Sequence, residues 1–315
     1  MSDFYDKFSD EPGKKPQIRI SRNIPGKITR RNGTKFLVTT ETREIPLGLP
    51  GPDIFRREYE SCLELIFGIR ERKTAKLCDC GINSLKDAAS VPLLKEDALS
   101  ALSAIKKGFS PVKKILSSRF SMSHRLFFLL LSYFKKEELL FVDIETKSLS
   151  FETSLIQIGA GYFEKNKFVI KQFTTLEDAA EYEVIEEFKS LLPGKKAFVT
   201  FNGRAFDIPF IDGRMGYYDS YGTVDIMEIH NFDLLHFSRC AFKGKYESYR
   251  LKDLEKTVIK TEREGDIASE EVEIYYSKFL RTKNFSYLKP ILYHNKEDII
   301  SLVLLTERLI QNWIR

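Results

Sequence analysis

The stretch "LLFVDIETKS", residues 139–148, decides how the rest of the chain is read. An apolar run of strand length ends in two acids, Asp143 and Glu145, with one residue between them. Residues two apart on a strand share a face. Both carboxylates therefore stand side by side near the strand's C-terminal end. Like charges that close repel, and burying them is costly unless a cation sits between them. The stretch implies a bound cation and further ligands elsewhere in the chain.

Two later segments supply acids. In "FVTFNGRAFDIPF", residues 198–210, a β-rich run enters a turn at Asn202-Gly203. Asp207 then opens a helix, where the helix dipole favours negative charge. Taken alone, Asp207 reads as a helix cap rather than a ligand, since Pro209 follows two positions on. The last helix, "FSYLKPILYHNKEDIISLVLLTERLIQNWI", places Ile291, Asn295, Asp298, Leu302 and Leu305 at three- and four-residue spacing. Asp298 thus shares a mostly apolar stripe, and a charge facing a core is paired or metal-bound. His294 stands one turn before it on the same face. Four carboxylates, Asp143, Glu145, Asp207 and Asp298, converging from separate elements suit two divalent cations, Mg²⁺ or Mn²⁺, with room for water and phosphate.

These segments resemble the DEDD exonucleases of the DnaQ-like, ribonuclease-H-like superfamily: "DIET" is similar to their first motif, "NGRAFDIPF" to the second and "YHNKEDIISL" to the third. A closer resemblance, to the YprB-type predicted exonucleases, extends through "NFDLLHFSRCAFKGKYESYRLKDLEKTV" and covers about residues 138–312. The resemblance implies that Asp143 bridges two metal ions, that Glu145 and Asp298 bind the first, and that Asp207 holds the second directly or through water. It implies 3′→5′ hydrolysis of phosphodiester bonds, with Asn202 orienting the substrate. The residue expected to activate water departs from the pattern. The histidine subclass places its base five residues before the last Asp, where Tyr293 stands; the tyrosine subclass places a Tyr four before, where His294 stands. Helical phase favours His294, and Tyr293 is kept as a substrate-side residue.

The expected architecture is α/β: a mixed-sheet ribonuclease-H-like domain at residues 138–315, preceded by a helical region at 46–137 and a basic tail at 1–45. The tail holds a hairpin, "GKITRRNGTKFLVTTE", with Asn32-Gly33 as its turn. Helical spacing recurs in "DIFRREYESCLELIF", "KEDALSALSAIKKGF" and "PVKKILSSRFSMSHRLFFLLLSYF". Strands are expected in "LLFVDIE", twice in "SLIQIGAGYFEKNKFVIKQFTT" around a turn at Lys165-Asn166, in "KAFVTFNG" and in "NFDLLHF". "FGIRERKTAKLCDCGINSLKDAASV", residues 67–91, resembles a helix-hairpin-helix, which would bind a phosphate near Gly68 through backbone amides. Arg70 stands where that motif carries a second glycine.

Net charge is +5, but residues 12–40 carry eight Lys or Arg and no acid, as do residues 98–136. Two such blocks suit a polyanion, so nucleic acid is the expected partner. The helix-hairpin-helix resemblance alone implies a slight preference for DNA over RNA. Cys62, Cys78, Cys80 and Cys240 give no disulfide framework and too few clustered ligands for zinc. Cys78 and Cys80 read as helix-end packing residues. Neither a signal peptide nor a membrane span is visible, and a cytoplasmic protein is expected. His124 reads as a surface residue and Asp233 as structural. Two other functions use the same residues: a nucleic-acid-binding module with weak or no catalysis, and a structure-specific endonuclease.

Overall fold

The computed structural model describes residues 26–218 and 225–314. Residues 12–25 of the first basic block lie outside them. Strands β1 (Lys27–Arg31) and β2 (Thr34–Arg43) form the expected hairpin. Its turn residues Asn32 and Gly33 both have positive φ, 47° and 83°, as a two-residue hairpin turn requires. Six helices follow: α1 (Pro52–Glu60), α2 (Glu71–Asp79), α3 (Leu85–Ala88), α4 (Lys95–Lys107), α5 (Phe109–Arg119) and α6 (Arg125–Leu129). Strands β3 (Leu139–Thr146), β4 (Leu155–Glu164) and β5 (Lys167–Thr175) form an antiparallel meander, turning at Lys165 and Asn166. Then come α7 (Glu181–Lys189), β6 (Ala197–Thr200), α8 (Asp207–Tyr217), β7 (His230–Asp233), α9 (Leu234–Ala241), α10 (Leu251–Leu254), α11 (Val272–Thr282) and the long α12 (Leu288–Leu309).

The seven strands of the described residues form one mixed sheet in the order β1-β2-β5-β4-β3-β6-β7. The N-terminal hairpin is part of it, because β2 pairs with β5 from Phe36↔Thr175 to Arg43↔Phe168. β3 lies between antiparallel β4 and parallel β6. Its alternation sets the layers. Leu139 and Phe141 join a core with α12 and the helices of residues 52–131, while Leu140, Val142 and Ile144 face α7 and α8. Period two carries Asp143 and Glu145 onto the first of these faces, the one covered by α12.

Several local expectations are corrected. "DIFRREYESCLELIF" is helical only to Glu60; Leu63–Leu65 is a short 3₁₀ turn. "PVKKILSSRFSMSHRLFFLLLSYF" breaks at the extended Phe120 into α5 and α6. "NFDLLHF" is strand only to Asp233, whose carboxylate accepts from the Leu235 amide and caps α9. His124 is half-buried: it stacks on Phe120 with ring centroids 3.9 Å apart and accepts from the Leu126 amide at the start of α6. Cys78 and Cys80 are exposed at the end of α2 and pack against nothing that buries them.

Candidate active site

Three chain segments bring the predicted acids together. β3 supplies Asp143 and Glu145, and a register shift after Glu145 ends its regular pairing with β4. β6 stops flanking β3 beyond Phe141↔Val199, and there the Ile144 amide donates to the carboxylate of Asp207 at 3.1 Å. Asp207 is the first residue of α8 and is buried. The turn before it needs Asn202 at φ 64°, a conformation Asn tolerates, and a Cβ on Gly203 would fall 2.4 Å from the Thr200 side chain. Asp233 stabilises this turn, accepting from the backbone amides of Asn202 at 2.8 Å and Arg204 at 3.2 Å. The structural reading of Asp233 fits these contacts.

α12 supplies the rest. Asn295 is fully buried and donates to the Asp143 carboxylate at 2.8 Å. His294 and Asp298 are one turn apart, with His294 Nε2 3.5 Å from Asp298 Oδ2. Ligand atoms of Glu145, His294 and Asp298 all lie within 4.8 Å of one another. Tyr293 points elsewhere: its ring sits by the Lys296 ammonium, 5.7 Å from the centroid, and it lines neither cleft at the site. Gly68 has φ +75° just before α2 and also lines neither cleft.

The electrostatics are those of an acidic cluster under pressure. Burial, then the charges of Asp298, Asp207 and Glu145, push the Asp143 carboxyl well above its usual range, against the stabilising bond from Asn295. Burial and the charges of Asp298, Asp207 and Asp266 do the same to Glu145, opposed by Arg263. Asp207 is pushed up to about 7, chiefly by burial, although its own amide and that of Ile144 pull the other way. Glu145 Oε1 is buried with no hydrogen-bond partner among the described residues. A buried, unpartnered carboxylate oxygen is costly, and a hard divalent cation is the partner that its chemistry suits. The donor set of Asp143, Glu145, Asp298 and Asp207 therefore fits bound metal.

Sequence reasoning missed Arg263, Asp266 and Glu255. The Arg263 guanidinium is buried among three acids. It bonds Asp298 at 2.5 Å, Asp266 at 3.2 Å and Glu255 through both Nε and a terminal nitrogen. These partners outweigh burial and raise its pKa. Asp266 in turn contacts His294 Nδ1 at 2.8 Å. "TEREGDIAS", residues 261–269, has alternating charge and no period, so it reads as solvated surface.

Among the described residues, two clefts open on the carboxylates. One, of about 370 Å³, is lined by Asp143, Glu145, Leu149, Phe206, His294 and Asp298 among others. The other, about 880 Å³, runs past Asn202, Arg239, Tyr249, Arg250 and Lys252.

A family model described as RNase_H superfamily matches residues 140–310, more than half of the chain. The chain belongs to the RNase_H superfamily. It is 27% identical over 172 residues to "Uncharacterized protein YprB" of Bacillus subtilis (strain 168), covering 54% of this chain and 41% of that protein. The two findings together support a YprB-type, ribonuclease-H-like family. Among solved structures, the family B DNA polymerase of the archaeon Pyrobaculum calidifontis aligns with a TM-score of 0.43 at 16% identity, over 55% of this chain and 24% of the polymerase. RNase_H membership supports a nuclease-type function. No helix of the described residues is long and apolar enough to cross a membrane.

Proposed function

We propose that this chain is a metal-dependent exonuclease that hydrolyses phosphodiester bonds of nucleic acid from the 3′ end, on DNA in preference to RNA. The carrying observation is the cluster of Asp143, Glu145, Asp207 and Asp298: burial and neighbouring acidic charges raise the carboxyls of Asp143, Glu145 and Asp207, and Glu145 Oε1 has no hydrogen-bond partner among the described residues. Asp143, Glu145 and Asp298 would hold a first Mg²⁺ or Mn²⁺, with Asp143 and Asp207 toward a second. Bound there, the ions would lower the pKa of the attacking water and stabilise the leaving 3′ oxygen.

The chain's own groups carry the remaining steps. His294 Nε2, facing Asp298, takes the proton from the attacking water. Asn202, at the rim of the larger cleft, orients the terminal nucleotide. Arg239, Arg250 and Lys252 line the same cleft and attract the phosphates of the strand. The segment around Gly68 would hold the backbone farther along by amide contacts.

End-labelled single- and double-stranded DNA and RNA, with and without Mg²⁺ or Mn²⁺, test this. The expected result is stepwise shortening from the 3′ end with metal, none with chelator, and no cutting of circular single strands. Cleavage of circles would make the protein an endonuclease. Binding without cleavage under either ion would make it a binding module.

A further inference from the structure

His294 has two ring nitrogens, and the proposed mechanism uses only Nε2. Nδ1 lies 2.8 Å from Asp266 Oδ1. Asp266 is buried to about 1% exposure of its side chain, and its other oxygen meets Arg263 at 3.2 Å and Lys252 Nζ at 3.6 Å. A carboxylate in that place accepts a hydrogen bond, so the neutral imidazole keeps its proton on Nδ1. Nε2 is then left with the lone pair: Asp298 Oδ2, 3.5 Å away, is beyond a good hydrogen bond and competes weakly for the proton, while the Ser269 hydroxyl at 3.3 Å can donate to Nε2. The opposite tautomer would put the proton on the nitrogen that must receive one.

The same turn does more than hold Asp266. Arg263 grips Asp266 with one terminal nitrogen and Asp298 with the other, and Glu255 anchors the guanidinium from behind. Glu255 is itself held by the Ser301 hydroxyl at 2.6 Å, on α12. One planar cation therefore sets the spacing between the group that orients His294 and the carboxylate that His294 faces. Its fixed fork suits that task in a way a Lys ammonium does not.

Resting on the nuclease reading above, we propose that Asp266 is a positioning residue that fixes the tautomer and direction of His294, and that Arg263 locks Asp266 in register with Asp298. Asp266→Asn is the informative variant. It keeps size and shape, but its amide donates to Nδ1 and drives the proton to Nε2.

The test uses the full chain. It compares wild type with Asp266→Asn in kcat and KM on a 3′-labelled oligonucleotide, in Mn²⁺ affinity by calorimetry, and in the ¹⁵N shifts of the neutral His294 ring. The expected result is a kcat lower by about a hundredfold, the scale of losing a correctly placed base, with KM and Mn²⁺ affinity within about threefold. The wild-type proton should sit on Nδ1 and the variant's on Nε2. A kcat within about threefold of wild type overturns the proposal, as does a wild-type proton on Nε2. A tenfold or greater loss of Mn²⁺ affinity also overturns it, because it would make His294 a metal ligand with Asp266 as its outer partner. An inert wild type would instead fail the nuclease reading. The ring shifts, read on wild type without substrate or variant, still decide the Asp266 contact, including where Asp266→Asn does not fold.

Discussion

Asn295 donates its side-chain amide to the carboxylate of Asp143 at 2.8 Å and accepts from Gln172 at 3.0 Å. Gln172 also donates to the Leu292 carbonyl at 2.8 Å and accepts from Thr39 at 2.9 Å. A line of hydrogen bonds thus runs from the N-terminal hairpin through β5 and α12 to the first acid of the site. Gly159, opposite Asp143 on β4, leaves room for it.

Gly159→Ala tests that line. A Cβ there would lie 2.1 Å from Asn295 Oδ1, so the amide must move off Asp143. Overpacking of this kind costs about 1–3 kcal/mol. Metal-dependent cleavage should fall by about tenfold or more, since the carboxylate that loses this hydrogen bond is a proposed ligand. Unchanged activity and melting temperature would show that Asn295 does not set Asp143.

Asp143→Asn should abolish cleavage and raise the melting temperature of metal-free protein by a few degrees, because it removes a charge that burial and three neighbouring acids oppose. Asp298→Asn should also abolish cleavage but lower the melting temperature, because it strips the buried Arg263 guanidinium of a charged partner. Thermal scans in chelator separate the two; equal shifts would contradict the pairing.

Metal-free stability should depend on pH in an unusual direction. The Asp207 carboxyl lies near 7 in the folded state against 3.8 ordinarily. Its contribution is fully present below about pH 4 and is lost as pH rises through about 7. Asp143 and Glu145 are raised in the same sense, whereas acids with lowered values, such as Glu60 and Glu138, lose stability only on stronger acidification. Burial lowers the values of His124 and His230, the latter to about 3, which opposes the cluster below about pH 6.5, but three raised carboxyls outweigh two histidines between about pH 5 and 8. The melting temperature in chelator should therefore be higher at pH 5 than at pH 8, and Mn²⁺ should reverse the order. A chelated protein most stable at pH 8 would count against the cluster.

His294→Ala should lower turnover by about a hundredfold or more. Tyr293→Phe should change it by less than about threefold, as expected of a hydroxyl outside both clefts. Steady-state rates decide between them. The reverse pattern would give Tyr293 the role and overturn the helical-phase argument.

The hairpin carries Phe36 and Leu37, both fully buried. Deleting residues 26–43 should cost the fold, at about 2–5 kcal/mol for each large buried side chain lost. A truncated chain that melts like wild type would show the β2–β5 ladder to be dispensable.

What was legible in the sequence follows from period and turn chemistry. Alternation in "LLFVDIE" placed Asp143 and Glu145 on one face, and 3.6-residue spacing placed His294, Asn295 and Asp298 together. Asn32-Gly33 and Lys165-Asn166 marked their hairpins. Pairing of β2 with β5 was not legible, because it joins residues about 130 apart and no local pattern encodes such a register. Arg263, Asp266 and Glu255 were hidden for a related reason. Each is a charged residue among charged neighbours, and only the fold closes them into a buried network. "NFDLLHF" misled because a short apolar run fits a strand or a helix equally.

The apolar cluster that joins Phe55, Leu85 and Leu116 of the helical region to Phe141 of β3 and Leu302 of α12 has one further consequence. Heat cannot melt the helices first and leave the sheet intact, because each would expose the other's apolar face. Calorimetry on the whole chain should record a single endotherm, with the calorimetric and van't Hoff enthalpies in agreement.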